Sequence, residues 1–324
     1  MFWPIGRKGG KMDILLQFGL LVLGFVMLIK GADWFVDGAA GIATKLGIPQ
    51  LIIGLTIVAM GTSAPEAAVS ISSAMKGSAD ITIGNVVGSN IMNVLVILGL
   101  TASIVAIKVA KSTVRIEIPF MIGISVLLLA LGMTGNVITF GEGVVLWIAF
   151  IAYLAYLFVM AKKGKEKSEE ETANDGKKKP LWLLAVLIAV GAAMIVLGSN
   201  FAVDGASAIA TAFGLSERFI GLTIVALGTS LPELVTSVTA AKKGNADIAI
   251  GNIVGSNIFN ILFVVALSAL IVDIPFDKAF TFDSYAAIFA AVLLWLCVLP
   301  KERLARWAGA LMLVCYGAYL WYII

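Results

Sequence analysis

The sequence predicts an all-α polytopic membrane protein of ten transmembrane helices, arranged as two inverted five-helix repeats. Three observations carry this: recurrent apolar runs, very little polar sequence between them, and a duplication of the chain at a constant offset. A bilayer core about 30 Å thick takes about 20 apolar residues per helix, and backbone in lipid must satisfy its own hydrogen bonds. Of the 324 residues 60% are hydrophobic and 13% charged, with a mean hydropathy of +1.02; soluble domains carry about 25% charged residues.

Spans are expected at 13–36, 48–74, 81–105, 116–134 and 141–161, then at 181–203, 217–241, 248–272, 282–299 and 304–323. The second set repeats the first. Gly54-Leu-Thr-Ile-Val-Ala returns as Gly221-Leu-Thr-Ile-Val-Ala, and Gly88-Ser89-Asn90-Ile91 as Gly255-Ser256-Asn257-Ile258. Between Ile53 and Ile97, 29 of 45 positions match the residue 167 further on, without a gap. Five spans per half is an odd number, so the halves should enter the membrane in opposite directions, a plan common among secondary transporters. The expected organisation is an N-terminal tail (1–12), a first repeat (13–161), a linker (162–180) and a second repeat (181–324).

Charge sets the expected orientation. The linker carries seven lysines, and cytoplasmic loops concentrate basic residues. With ten spans, the linker side holds 16 Lys and Arg residues against 6 opposite, which puts both termini outside and the linker in the cytoplasm. The basic start resembles a signal peptide, but no small-x-small cleavage site follows, so an uncleaved first helix is expected. A net charge of +3 spread over short loops gives no nucleic-acid signal. Absence of histidine removes His-based catalysis and His-ligated zinc. Cys297 and Cys315 have no metal-type spacing and read as packing residues. No nucleotide-binding or hydrolase motif is present, so no enzyme activity and no cofactor are expected.

Glu66 and Glu233 are the chemically informative residues. Each ends the phrase Gly-Thr-Ser-x-Pro-Glu in the middle of an apolar span with no basic residue to pair with. A carboxylate at the centre of a membrane costs about 2.5–3.5 kcal/mol on insertion scales, so something must compensate two of them. Thr62, Ser63 and Glu66 share one helix side. Pro65 lacks an N–H and clashes with the carbonyl of Gly61, so the helix should kink there and free carbonyl oxygens. Thr229, Ser230, Pro232 and Glu233 repeat the arrangement. The following spans add Asn85, Ser89 and Asn93, and Asn252, Ser256 and Asn260, with Gly84 and Gly88 permitting close helix approach. An oxygen-only set suits hard cations: one calcium, which takes 6–8 oxygens, or two to three monovalent ions. Soft metals lack thiolate and imidazole partners.

Other polar residues have plainer readings. Thr56, Ser70, Ser72 and Ser73 are expected to pack, Asn85 and Asn252 to join helices, and Asp80 and Asp247 to cap them. Asp33, Asp37 and Asp204 are expected near helix ends at the interface.

These paired motifs, Gly61 to Glu66 with Gly84 to Asn93 and their second copies, resemble the alpha-repeats of the calcium/cation antiporter superfamily, in particular prokaryotic sodium/calcium exchangers. The resemblance spans essentially the whole chain. It implies a ten-helix fold with four cation sites between the second, third, seventh and eighth helices, and sliding first and sixth helices. Ligands are then implied at the carbonyls of Ala59 and Ala226, and at Thr62, Ser63, Glu66, Ser89, Asn93, Thr229, Ser230, Glu233, Ser256 and Asn260. Asn260 is Asp in some archaeal and potassium-dependent relatives, and asparagine here resembles potassium-independent exchangers. The linker is too short for calcium-sensing domains. The expected function is Na+/Ca2+ antiport by alternating access in a plasma membrane, by a monomer. A calcium/proton antiporter is the alternative, and a cation channel a weaker one.

Overall fold

The computed structural model describes residues 11–76, 79–171, 179–214 and 226–323. Its helices are α1 (Lys11–Leu46), α2 (Gln50–Thr62), α3 (Ala64–Met75), α4 (Asp80–Ile104), α5 (Thr113–Met133) and α6 (Phe140–Glu171). The second half contributes α7 (Leu181–Ala212), α8 (Ala226–Thr229), α9 (Leu231–Lys242), α10 (Ala246–Ile271), α11 (Ala279–Val298) and α12 (Arg306–Ile323). Among the described residues seven helices are long and apolar enough to cross a membrane, or eight if the bent pair α2 and α3 is one span. Large apolar side chains such as Leu15, Ile148, Phe158 and Trp321 stand on the outer surface, which suits a lipid solvent. Two short antiparallel ladders join the halves: β1 (Ile107–Lys108) pairs with β4 (Arg303–Leu304), and β2 (Val137–Ile138) with β3 (Ile274–Pro275).

Several boundaries differ from expectation. α1 runs to Leu46 and α7 to Ala212, ten residues or so beyond the expected ends. At 1.5 Å per residue α1 is about 54 Å long, well beyond a hydrocarbon core. The polar group Lys30-Gly31-Ala32-Asp33 does not end α1, because its glycines lie against α7. Gly24, Gly31 and Gly38 recur every seven residues, as do Gly191, Gly198 and Gly205 at the repeat offset. A Cβ on Gly24 would fall 2.6 Å from Ala202 N, one on Gly31 2.9 Å from Gly191 O, and one on Gly38 2.8 Å from Leu184 O. Partner numbers fall as α1 numbers rise, so the two helices are antiparallel and in backbone contact. Asp33 and Asp37 consequently lie inside α1, where Lys243 ties them to the end of α9 at 3.3 and 2.8 Å. Asp204, inside α7, is exposed.

α6 continues into the expected linker as far as Glu171. The expected start of the seventh span, 217–225, lies outside the described residues. Neither expected aspartate cap forms: α10 begins at Ala246 with Asn245 at its cap, leaving Asp247 inside the first turn, where a negative charge complements the helix dipole. Ala79 occupies the cap position before Asp80.

The core is built on α4 and α10. Every residue of α10 from Ile248 to Phe259 is buried. Gly251 and Gly255 permit this, since a Cβ on them would fall 3.0 Å from Leu51 O and 2.8 Å from the Leu55 Cα. The first-copy glycines behave differently. A Cβ on Gly84 would fall 3.3 Å from the Phe280 ring, and one on Gly88 would meet no described atom of another element within 4 Å. Both core helices widen into π-turns at matched places, Asn93–Leu98 and Asn260–Val265; such turns recur at functional sites.

The glycine contact predicts that Gly198→Val lowers the thermal midpoint of the solubilised protein. A side chain there meets Gly24 O at 2.8 Å, backbone that has no rotamer to yield, and overpacking costs about 1–3 kcal/mol or more. Gly19→Ala, whose Cβ would meet no described atom of another element within 4 Å, should be silent in the same melt.

Candidate cation site

The helix break falls at Ser63, two residues before the proline. Ser63 leaves the helix at φ −82°, ψ 6°, and α2 and α3 meet at 50°. Pro65 then sits in the first turn of α3, where its missing N–H costs no hydrogen bond. Ser230 takes the same place before α9, at φ −93°, ψ 2°, with Pro232 in the first turn. Each break puts a glutamate in the first turn of a new helix, at the positive end of its dipole.

Glu66 and Glu233 are both 1% exposed. The breaks face one another: Ser63 Oγ donates to Glu233 Oε1 at 2.8 Å, joining the two repeats. Thr62 Oγ1 lies 2.9 Å from Asn252 Oδ1 and 3.1 Å from Val58 O. Ala59 O lies 3.5 Å from Ser256 Oγ, so the carbonyl expected as a ligand does face the second repeat. Ala226 opens α8. Asn85 donates to Ser70 Oγ at 2.8 Å and Glu66 O at 3.2 Å; Asn252 donates to Ser237 Oγ at 2.9 Å and Glu233 O at 3.4 Å. Both asparagines therefore join helices, as expected, and Asn252 also links the repeats through Thr62. Ser89, Asn93 and Asn260 are buried beside them, and Thr229 is half-buried.

The decisive feature is what these groups leave unpaired. Glu66 Oε2, Glu233 Oε2, Asn93 Oδ1, Asn260 Oδ1 and Ser230 Oγ are all buried with no hydrogen-bond partner among the described residues. Leaving a buried acceptor unsatisfied costs about 1–3 kcal/mol each. Here the orphans belong to expected site residues of both repeats, and four of the five atoms can only accept. Ion pairs among the described residues involve only Lys243 with Asp33 and Asp37, so no described basic side chain neutralises the glutamates. A cation answers both deficits at once, the charge and the lone pairs. Among the described residues no three Asp, Glu, His or Cys side chains gather; a cation held here takes its remaining ligands from neutral oxygens.

Sequence reasoning missed two things. Asn90 and Asn257 are buried at the contact of α4 and α10 and bond across it (described below). Their place in the motif was visible, but their facing partner was not. Glu117, in α5, is also buried, and accepts a hydrogen bond from Tyr156. A parallel pair, Tyr319 donating to Asp283 at 2.9 Å, recurs in the second repeat. The two carboxylates stand 166 residues apart and the two tyrosines 163, near the repeat offset but not on it, so the gapless register did not pair them.

Comparison with known proteins settles the family. The sequence profile of the sodium/calcium exchanger protein family matches residues 16–159 and 183–324. The chain belongs to the sodium/calcium exchanger family. It is 40% identical over 306 residues to the putative antiporter CaxA of Alkalimonas amylolytica, covering 92% of this chain and 96% of that protein. Identity to the sodium/calcium exchanger MaX1 of Methanosarcina acetivorans is 31% over 348 residues, covering 95% and 98%. The solved structure of the sodium-calcium exchanger NCX_Mj without sodium and calcium superposes with a TM-score of 0.83 at 32% identity, over 96% of this chain and all of that one. The chain is thus a prokaryotic calcium/cation antiporter and a membrane protein.

If the orphaned oxygens hold cations, Glu66→Gln and Glu233→Gln should each remove the rise in thermal midpoint that calcium gives the solubilised wild type. A ligand at 100 times its Kd adds about 2.7 kcal/mol to stability. Without calcium the same variants should melt no lower than wild type, because an unpaired buried charge has gone.

Proposed function

We propose that the chain is a Na+/Ca2+ antiporter that works by alternating access at a mid-membrane site. The carrying observation is the pair of buried glutamates, one from each repeat, each with an oxygen that no described protein group satisfies. On this reading, calcium and sodium compete for one oxygen set: the carboxylates of Glu66 and Glu233, the hydroxyls of Thr62, Ser63, Ser89, Thr229, Ser230 and Ser256, the amide oxygens of Asn93 and Asn260, and the carbonyls of Ala59 and Ala226. Two negative charges balance one calcium or two sodium ions, so the ions replace one another without leaving the acids bare. The ions are substrates here and no cofactor takes part.

The proposed architecture is ten spans in two inverted repeats, with Pro-broken helices 2 and 7 at the centre. The antiparallel pairing of α1 with α7 supports it, as does the 167-residue duplication. The proposed setting is the plasma membrane, with both termini outside, the 162–180 linker in the cytoplasm, and the chain acting as a monomer. A family relative named as a sodium/calcium exchanger and the NCX_Mj likeness favour sodium as the counter-ion. Buried acids without a basic partner would also suit proton coupling, so the experiment must separate the two.

The test is flux of radioactive calcium in vesicles reconstituted with the purified chain. Sodium-loaded vesicles diluted into sodium-free medium should take up calcium, and Glu66→Gln or Glu233→Gln should abolish that uptake while still inserting. Uptake indifferent to the sodium gradient would overturn the proposal. Uptake driven by a pH step without sodium would establish proton coupling instead, and single-channel currents a channel.

A further inference from the structure

We infer that Asn90 and Asn257 are positioning residues that fix which way the Asn93 and Asn260 amides face, so that the site always meets their oxygens and never their NH2 groups. This rests on the cation site proposed above and adds residues to it that are not themselves ligands.

The argument begins at two main-chain carbonyls, which can only accept. Asn90 Nδ2 donates to Asn257 O at 3.2 Å, and Asn257 Nδ2 donates to Asn90 O at 3.2 Å. The two residues stand 167 apart, so the clasp relates matched positions of the two repeats. An asparagine flipped at either place would set oxygen against oxygen. The NH2 groups of Asn90 and Asn257 are thus committed, and their Oδ1 atoms must turn the other way. There they accept: Asn93 Nδ2 donates to Asn257 Oδ1 at 3.0 Å, and Asn260 Nδ2 to Asn90 Oδ1 at 3.2 Å. With those donors spent, the remaining atoms of the outer amides are Asn93 Oδ1 and Asn260 Oδ1. Both are buried and without partners. All four side chains are at most 4% exposed, so no water competes for their orientation.

An amide is a two-faced ligand. Its oxygen serves a cation and its NH2 repels one, and the two ends are nearly equal in size. In a pocket that must discriminate small cations, an asparagine free to flip would present the wrong end part of the time. The crossed relay removes that freedom, each repeat setting the ligand of the other. Partners that orient metal ligands are commonly worth about 10–100-fold in affinity.

Asn257 also touches two helices, so a loss on mutation could simply reflect lost packing. A carboxylate separates the roles, because both its ends are oxygen and it has no wrong way round. The experiment is a four-member cycle of wild type, Asn257→Ala, Asn93→Asp and the double variant. For each, half-saturating calcium is measured by equilibrium binding of radioactive calcium to the purified full-length chain, alongside the calcium-free melt. Orientation predicts that Asn257→Ala weakens calcium binding about 10–100-fold when residue 93 is Asn, and less than about threefold when it is Asp. Equal losses in both backgrounds, or none in the wild-type background, would overturn the inference. Should Asn257→Ala not fold, the mirror cycle of Asn90→Ala with Asn260→Asp asks the same question. Saturable calcium binding by the wild type keeps this separate from the parent reading: without it the cation site itself fails, whereas with it an additive cycle defeats only the relay.

Discussion

Two carboxylates buried in an apolar slab, with no basic group among the described residues to neutralise them, constrain everything else in this structure. A hydrophobic chain can bury a carboxylate only if its surroundings supply compensation. The helix breaks at Ser63 and Ser230 supply part of it, because each glutamate gains the N-terminal end of a fresh helix. Ser63 supplies another part by donating to Glu233 across the repeat boundary. What remains unmet at the site lies on oxygen: Glu66 Oε2, Glu233 Oε2, Asn93 Oδ1, Asn260 Oδ1 and the Ser230 hydroxyl.

The scaffold answers to the same need. Acids contributed by two repeats can share a site only if the central helices approach almost to backbone contact. Gly251 and Gly255 allow α10 to lie on α2, and the seven-residue glycine ladders do the same for α1 and α7. Small residues serve differently in the two places. On α10 they bring polar groups within bonding distance: Thr62 reaches Asn252, and Ser256 approaches Ala59 O. On α1 and α7 they leave a smooth contact between two long helices, tied to the core by Lys243 on the α1 side and by Ser199 donating to Gly228 O at 2.7 Å on the α7 side.

Much of this was legible in the sequence. The duplication, the misplaced glutamates and the absence of basic partners are properties of a linear string. Their meeting is shown by the fold, where Ser63 of one repeat bonds Glu233 of the other. Helix ends were harder to read. The group Lys30-Gly31-Ala32-Asp33 looks like an exit from the membrane, and only the facing Gly191 explains why α1 continues. Pro65 announced a break but not its register: a proline accepted in the first turn of the following helix moves the break back to Ser63. Asn90 was hidden for another reason. Asparagines three residues apart in one motif look alike, and only the identity of the facing atom, carbonyl or amide, separates orienter from candidate ligand.

Near-identical repeats have also settled into unequal arrangements. Ser63 bonds Glu233, while its counterpart Ser230 has no partner for its hydroxyl. Lys243 grips Asp33 and Asp37, while the matched Lys76 and Asp204 are exposed and form no ion pair with any described residue. Ser63 with Glu233 and Ser230 with Glu66 are matched in chemistry, so their inequality comes from geometry; at the lysines sequence contributes too, because Asn200 stands at the position matched to Asp33. The exchanged arrangement, with Ser230 bonding Glu66 and Lys76 gripping Asp204, would use the same kinds of contact. Two states built from interchangeable contacts differ little in free energy, and a modest difference in affinity for an ion then suffices to shift the population between them. On the proposed reading that near-degeneracy is what a transporter requires: each face opens at the cost of contacts that the other face regains, and the central pair of acids needs a cation in both.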